Sequence, residues 1–326
     1  NFCQIDSAPG ISTEIDKQNL ILNIDVSSRD FSEKTINFSV INHKKFRPTR
    51  PGAYFNYDIF TERNEDANNN VISDLSDLTY FNSFGVGDYQ FLATNNNFAN
   101  KHFTRLTTSW TLDEPEKIAS WRFGDSITQG LDWSGAVRFG GIQYSTNFAT
   151  QPYFITYPLP AFRGQAVVPT TIQAFTNNSL EFQSNILNGP FNIQNIPAVN
   201  GQGQITLVTR DLLGRTTTYS LPYYVSPQLL EPGLADFSYE FGMVRQDFGI
   251  ASNNYANPMA VQTYQKGINS HLTLGWHSEE LLHQQTAGFS STYLLGNFGI
   301  INFASAASHG RDGVGGLFST GLSRET

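Results

Sequence analysis

Apolar and polar residues alternate along this chain in segments of about ten, separated by Asn, Gly, Asp and Pro, and helical periodicity is nearly absent. Successive side chains of a strand point to opposite faces, so the pattern restricts the chain to an all-β fold of two-faced strands. In Ala53 to Ile59, Ala53, Phe55, Tyr57 and Ile59 share one face against Asn56 and Asp58. Leu106, Trp110 and Leu112 oppose Arg105, Thr107 and Ser109. Further on, Phe237, Tyr239, Phe241 and Met243 oppose Ser238, Glu240 and Gly242. Leu272, Leu274 and Trp276 oppose Thr273, Gly275 and His277; Ala287, Phe289, Tyr293 and Leu295 oppose Gly288 and Ser290.

A soluble sandwich also uses two-faced strands, and three features point instead to a transmembrane barrel. The polar faces carry Asn, Thr, Ser, Gly and Gln more than Lys and Glu, within a chain that is only 15% charged, against roughly 25% in soluble domains. A segment of about ten residues crosses a bilayer when tilted. The chain is 13% aromatic, and Tyr54, Phe60, Tyr80, Trp110, Trp121 and Trp276 sit near segment ends, where an interfacial girdle belongs. No apolar run is long enough for a transmembrane helix, a test that leaves barrels untouched.

A net charge of -8 gives no footprint for nucleic acid, whose binders cluster Lys and Arg. Cys3, the single cysteine, cannot form an internal disulfide or a paired-cysteine metal site. The chain begins at Asn1 with neither a charged n-region nor an apolar h-region, and it is read as a fragment.

Residues 158–228 read differently, as short strands with tight turn chemistry: Val167 to Thr176, Leu180 to Leu187, Phe191 to Ile196, Ile205 to Arg210 and Thr216 to Tyr223, with a loop through Asn200 to Gly203. Proline-rich joints bracket this compact β-sandwich pattern, Pro158 and Pro160 before it and Pro222, Pro227, Pro232 and Gly233 after it, as expected of an inserted domain. About six strand candidates precede Pro158 and about six follow Gly233. Residues 1–48 are expected to be a separate piece, with Leu20 to Val26 as a strand and a basic stretch at Lys44, Lys45, Arg47 and Arg50.

Five motifs in order carry a family resemblance: Gly52-Ala53-Tyr54-Phe55-Asn56-Tyr57-Asp58; Trp121 to Ser126 with Val137 to Gln143; Thr146 to Pro152 followed by Tyr157-Pro158-Leu159-Pro160; Asn188 to Ile193; and Val208 to Arg215 with Pro222-Tyr223-Tyr224. In this order they resemble the outer-membrane usher of chaperone-usher pilus biogenesis. The resemblance implies a partial transmembrane β-barrel, about 12 of 24 strands, with an inserted β-sandwich plug. Its divisions would be 1–48, the remnant of a periplasmic N-terminal domain; 49–157, the first barrel strands; 158–228, the plug; and 229–326, further strands of an incomplete barrel. It implies an outer-membrane assembly platform and gated pore for pilus subunits. The partners would be periplasmic chaperone–subunit complexes, membrane lipid and other copies of the usher; no cofactor is implied. The prolines and Gly233 above would be plug hinges. The insert's Arg163, Glu181, Arg210, Asp211 and Arg215 would be candidate contacts for Arg105, Arg122, Arg138 and Glu240 of the lumen. A secreted β-sandwich protein binding glycan or another surface ligand is the alternative reading.

Enzyme chemistry finds little support. Gly124-Asp125-Ser126-Ile127 imitates a hydrolase nucleophile block, but Thr128-Gln129-Gly130 leads into another strand and no Asp-x-x-His follows near the C-terminus. His271, His277, Glu279, Glu280 and His283 are ligand-rich, yet strand parity sets the first two histidines roughly 20 Å apart. Asp113-Glu114-Pro115-Glu116 reads as a solvated turn. Gly140-Gly141 shifts the apolar parity, which fits either a bulge or plain interior glycine.

Overall fold

The structure, a computed structural model, describes residues 11–26, 32–38, 49–64, 69–96, 102–176, 178–311 and 313–325. Cys3, Lys44, Lys45 and Arg47 lie outside them. Three short strands come first: β1 (Ile11–Asp16), β2 (Ile21–Val26) and β3 (Lys34–Asn37). Six long ones follow: β4 (Gly52–Asn64), β5 (Asn69–Asn82), β6 (Gly85–Asn96), β7 (His102–Glu114), β8 (Ala119–Ile127) and β9 (Arg138–Thr146). Then come β10 (Phe162–Ala166), β11 (Thr170–Thr176), β12 (Ser179–Ile186), β13 (Gly189–Gln194), β14 (Gly201–Asp211) and β15 (Thr216–Val225). The last six are β16 (Ala235–Arg245), β17 (Tyr255–Asn269), β18 (Leu272–Leu281), β19 (Gln284–Leu294), β20 (Ile300–Gly310) and β21 (Gly313–Ser323).

The two long sets form one twelve-stranded antiparallel sheet in chain order, with β9 paired directly to β16 across the interruption. This agrees with six strands on either side of the insert, and β4 and β21 are its two edges. Parity then fixes the topology. Six antiparallel strands return the chain to the rim where β4 began, and six more return it again. The start of β4, both ends of the insert and the end of β21 therefore share one rim, here the near rim.

The two faces of the sheet are opposite in character. On β16, Ser238 and Glu240 are fully buried while Phe241 and Met243 are exposed. Thr263, Thr273 and His277 are buried on the inner face of β17 and β18, whereas Leu274, Phe289 and Phe303 are exposed on the outer face. A water-soluble sheet would bury the apolar set; exposing it is stable only against lipid or a partner. Near the near rim the outer face carries an aromatic belt. Trp121 stacks on Tyr144 at 4.3 Å, Tyr144 meets Phe237 at 5.4 Å, and Phe237 meets Tyr239 at 5.5 Å. Tyr80 and Trp110 continue it at 6.3 Å.

Gly140-Gly141 carries no bulge: β9 pairs without a break with both β8 and β16 through these residues. Parity shifts because Phe139 points inward, buried with Met259 and Val261. Gly141 and Gly242 face each other in register, and a Cβ on Gly242 would lie 2.3 Å from the Gly140 carbonyl oxygen. The backbones approach too closely there for any side chain.

Between β9 and β16, two smaller sheets, β10-β13-β3 and β12-β11-β14-β15, pack face to face. Ile172, Ala174, Ile193, Ile196, Ile205 and Leu207 form their fully buried core, with Phe191, Tyr223 and Val225 around them. Lys34–Asn37, from the segment expected to stand apart, is a parallel neighbour of β13 in this sandwich.

Candidate functional site

The inner face is partly covered by residues 128–137, the link from β8 to β9. Thr128 N donates to Val137 O, and Val137 N to Thr128 Oγ1, both at 2.9 Å. This closes a neck below which the link folds inward instead of turning tightly. Gln129 N donates to Glu240 Oε1 at 3.0 Å, as does Gln143 Nε2, and Ser238 Oγ donates to the same oxygen. Three donors on one oxygen offset part of the cost of burying this carboxyl group, whose other oxygen is buried without a partner. Thr263 Oγ1 donates to Gln129 O at 2.9 Å and lies 2.8 Å from His277 Nδ1. Nε2 of His277 is 2.9 Å from Glu279 Oε1. The Trp133 ring meets His277 edge-on at 5.4 Å and stands over Gly288, where a Cβ would come within 2.7 Å of the indole. Glycines at 275 and 288 make the hollow that receives Leu131 and Trp133.

At the far rim, Asp125 gathers the charged groups. Arg105 pairs with it through Nη1, Arg245 Nη1 is 2.8 Å away, Tyr255 Oη donates at 2.5 Å and Thr108 N at 2.9 Å. Arg245 also donates to the carbonyls of Leu106, Arg105 and Ser252. Arg138 lies over the Phe248 ring at 3.8 Å. These contacts stitch the 246–254 link, between β16 and β17, to β7 and β8. Removing one member of such a buried network costs about 3–5 kcal/mol, because the remaining charge is left uncompensated.

The insert meets the sheet at the near rim. Its two connectors touch through Glu231 N to Thr156 O at 2.7 Å. Gly233 N donates to Gly267 O at 2.8 Å, and Leu230 N to Thr273 Oγ1 at 2.8 Å. Tyr224 and Leu229 bury themselves against Ile300, and Glu325 N donates to Tyr224 Oη at 2.9 Å. Partial burial of Glu231 where the connectors meet raises its carboxyl above the usual range.

The four expected inner residues find their partners in the sheet and its links rather than in the insert. Arg105 goes to Asp125, Glu240 to the 128–137 link, Arg138 to Phe248, and Arg122 to Thr111 and Ser126. Asp211 pairs with Arg215 inside the insert at 2.6 Å. Arg163, Glu181 and Arg210 lie exposed on its surface. Among the described residues, none of these five forms a hydrogen bond or ion pair with Arg105, Arg122, Arg138 or Glu240. Of the expected hinge residues, Pro158, Pro160, Pro227, Pro232 and Gly233 lie in the connectors, whereas Pro222 sits inside β15 opposite Gln204. His271 is in the turn before β18, separate from the buried His277. The inward link at 128–137 carries no pattern of its own in the sequence; the legible sign was the pair of glycines it covers.

A sheet with an apolar outer surface, a polar inner face and a folded insert after its sixth strand defines a segment of a transmembrane β-barrel. The family model for outer membrane usher proteins matches residues 88–313, and the chain belongs to that outer-membrane family. It is 26% identical over 198 residues to the outer membrane usher protein FimC of Bordetella pertussis, covering 54% of this chain and 22% of that protein. It is 24% identical over 157 residues to the outer membrane usher protein YehB of Escherichia coli, covering 48% and 18%. The chain thus spans about a fifth of the length of these relatives. Its fold is similar to a chain in the cryo-EM structure of an E. coli P pilus tip assembly intermediate, PapC-PapD-PapK-PapG, with a TM-score of 0.59 at 15% identity, covering 96% of this chain and 40% of that one.

Proposed function

We propose that this chain forms part of an outer-membrane platform that receives pilus subunits from a periplasmic chaperone and passes them through a gated barrel, with residues 158–228 as the plug. The observation that carries the reading is the inverted sheet, exposed Phe241, Leu274 and Phe289 outside and buried Ser238, Glu240 and His277 inside, with the insert hung from its near rim. Subunit passage needs a wide polar lumen, and a plug needs contacts that release. The seat fits this, being a small apolar cluster with a handful of hydrogen bonds. A soluble glycan-binding sandwich does not account for an apolar band backed by a polar interior. Deleting Ala161 to Tyr223 from the full-length protein, closed by a short Gly/Ser linker, tests the proposal. It should raise ion conductance or antibiotic leakage and reduce pilus assembly. Unchanged permeability in a correctly inserted barrel would refute the gate.

A further inference from the structure

The insert holds one strand that its own stretch of chain does not supply. β3 runs parallel to β13, with Lys34 opposite Phe191, Thr35 opposite Asn192, Ile36 opposite Ile193 and Asn37 opposite Gln194. Phe38 N extends the ladder by donating to Gln194 O at 3.2 Å. The strand also reaches the second sheet. Phe38 packs on Phe182 with ring centres 4.4 Å apart, and Lys34 Nζ donates to Asn185 O at 2.8 Å, both on β12. Ile36 and Phe38 cover the sandwich core where the edges of the two sheets meet, and Asn195 Nδ2 donates to Asn37 Oδ1 at 2.9 Å. Adding a strand to a free sheet edge is a general mode of peptide recognition, in which backbone ladders supply affinity and alternate side chains supply specificity.

The attachment is slight compared with the core it covers. Four residues are paired, and only Ile36 and Phe38 are even half-buried, whereas the fully buried core residues Ile172, Ala174, Ile193, Ile196, Ile205 and Leu207 all come from 158–228. We propose that the β13 edge is a strand-docking site, that Lys34–Phe38 is its occupant, and that this docking is a detachable leash from the insert to the start of the sheet, independent of the two covalent connectors. Only residues 39–51 separate Phe38 from β4. While β3 is docked, the insert can travel no further from the start of β4 than those residues span, roughly 45 Å fully extended. Larger excursions require the strand to peel away, which gears the insert to whatever moves the segment before the barrel. The leash deepens the proposed gating role but does not need it, since neither measurement below reads conductance.

Both tests use the full chain with Cys3→Ser. Asn37→Cys with Asn195→Cys should give a reductant-reversible disulfide under mild oxidation, and Asn37→Cys with Leu212→Cys should not. Separately, Ile36→Asp with Phe38→Asp should speed hydrogen exchange at the β13 amides facing β3 at least tenfold while leaving β11, β14 and β15 unchanged. A disulfide yield no higher than the control, or unchanged exchange at β13, overturns the docking. Faster exchange throughout the insert would make β3 an integral part of the fold and overturn the detachable leash.

Discussion

Replacing Phe241 with arginine puts the membrane reading at risk. Phe241 is the seventh of the eleven residues of β16 and is 60% exposed on the outer face. At about 3.3 Å per residue it stands roughly 20 Å along the strand from the near rim. With a tilt near 45°, that is about 14 Å of depth, close to the middle of an apolar band about 25 Å tall. An arginine facing lipid there costs about 2–4 kcal/mol, which lowers the inserted population by about 30-fold to several hundred-fold. Asn56→Arg is the control. Asn56 pairs with Asp77, whose neighbours Thr79 and Asp88 share the inner face, so a guanidinium there gains a carboxylate and keeps its water. In the full-length protein refolded into vesicles, protease protection and resistance to unheated SDS report insertion. Phe241→Arg should lose most of the protected band and Asn56→Arg should keep it. Equal insertion of the two variants, or greater loss for Asn56→Arg, would refute the assignment of faces.

Gly242→Ala should destabilise the sheet although its face is the inner one, because its Cβ meets the Gly140 carbonyl at 2.3 Å; overpacking of this kind costs about 1–3 kcal/mol, measurable as a lower urea midpoint. Gly288→Ala should displace Trp133, whose ring its Cβ would approach to 2.7 Å, and shift the emission of that tryptophan toward the solvated range. Ile205→Ala, at a fully buried position of the insert, should cost about 2–5 kcal/mol in the unfolding of that domain, followed by hydrogen exchange of β14. Burial alone would raise the Asp211 carboxyl, but its hydrogen bonds from Arg215 and Leu213 outweigh this and hold it below the usual range. That contribution is complete above the carboxyl's unfolded value and is lost as pH falls through the lower folded one. Acid melting curves of Asp211→Asn should therefore lack this increment. The half-buried Glu231 has the opposite sign: its carboxyl is raised by partial burial, so the junction of the two connectors loses stability as pH climbs from the ordinary carboxylate range through the raised value. Glu231→Gln should flatten that slope.

The sequence revealed the long strands because their physics is local. Alternation at Phe237 to Met243 and at Leu272 to His277 assigned the same faces that the structure buries and exposes. Trp121, third in β8, was legible as a rim aromatic for the same reason, whereas Trp276, fifth of the ten residues of β18, lies mid-strand rather than at a segment end. Features that depend on pairing partners distant in sequence were not legible. Phe139 reads as an outward apolar residue until Met259 and Val261 are placed across from it. Thr128 to Val137 reads as a turn because nothing local says that Trp133 has a glycine-floored hollow to enter. Lys34–Asn37, four residues long, becomes a strand only when β13 is there to pair with it. The charged residues resisted most: Arg105, Arg138 and Glu240 take Ser252, Phe248 and Gln129 as partners, from links whose path no periodicity encodes.

The ladder between β9 and β16 also bears on how the chain folds. Its neighbours in the twelve-stranded sheet are closed by short links, whereas 88 residues separate Thr146 from Ala235. Closing a flexible loop of that length costs about 1.6 kcal/mol more than closing one of about fourteen residues. Fourteen is what remains if the insert has already folded and its connectors have met at Thr156 and Glu231. A folded insert thus turns the longest closure in the sheet into an ordinary one. The order of events follows: the sandwich forms first, its clasped ends bring Ser145 to Ser238, and the seam zips from the near rim toward Phe139 and Val244. A mutation that slows the insert's folding should therefore delay the whole sheet, even where no residue of the sheet has changed.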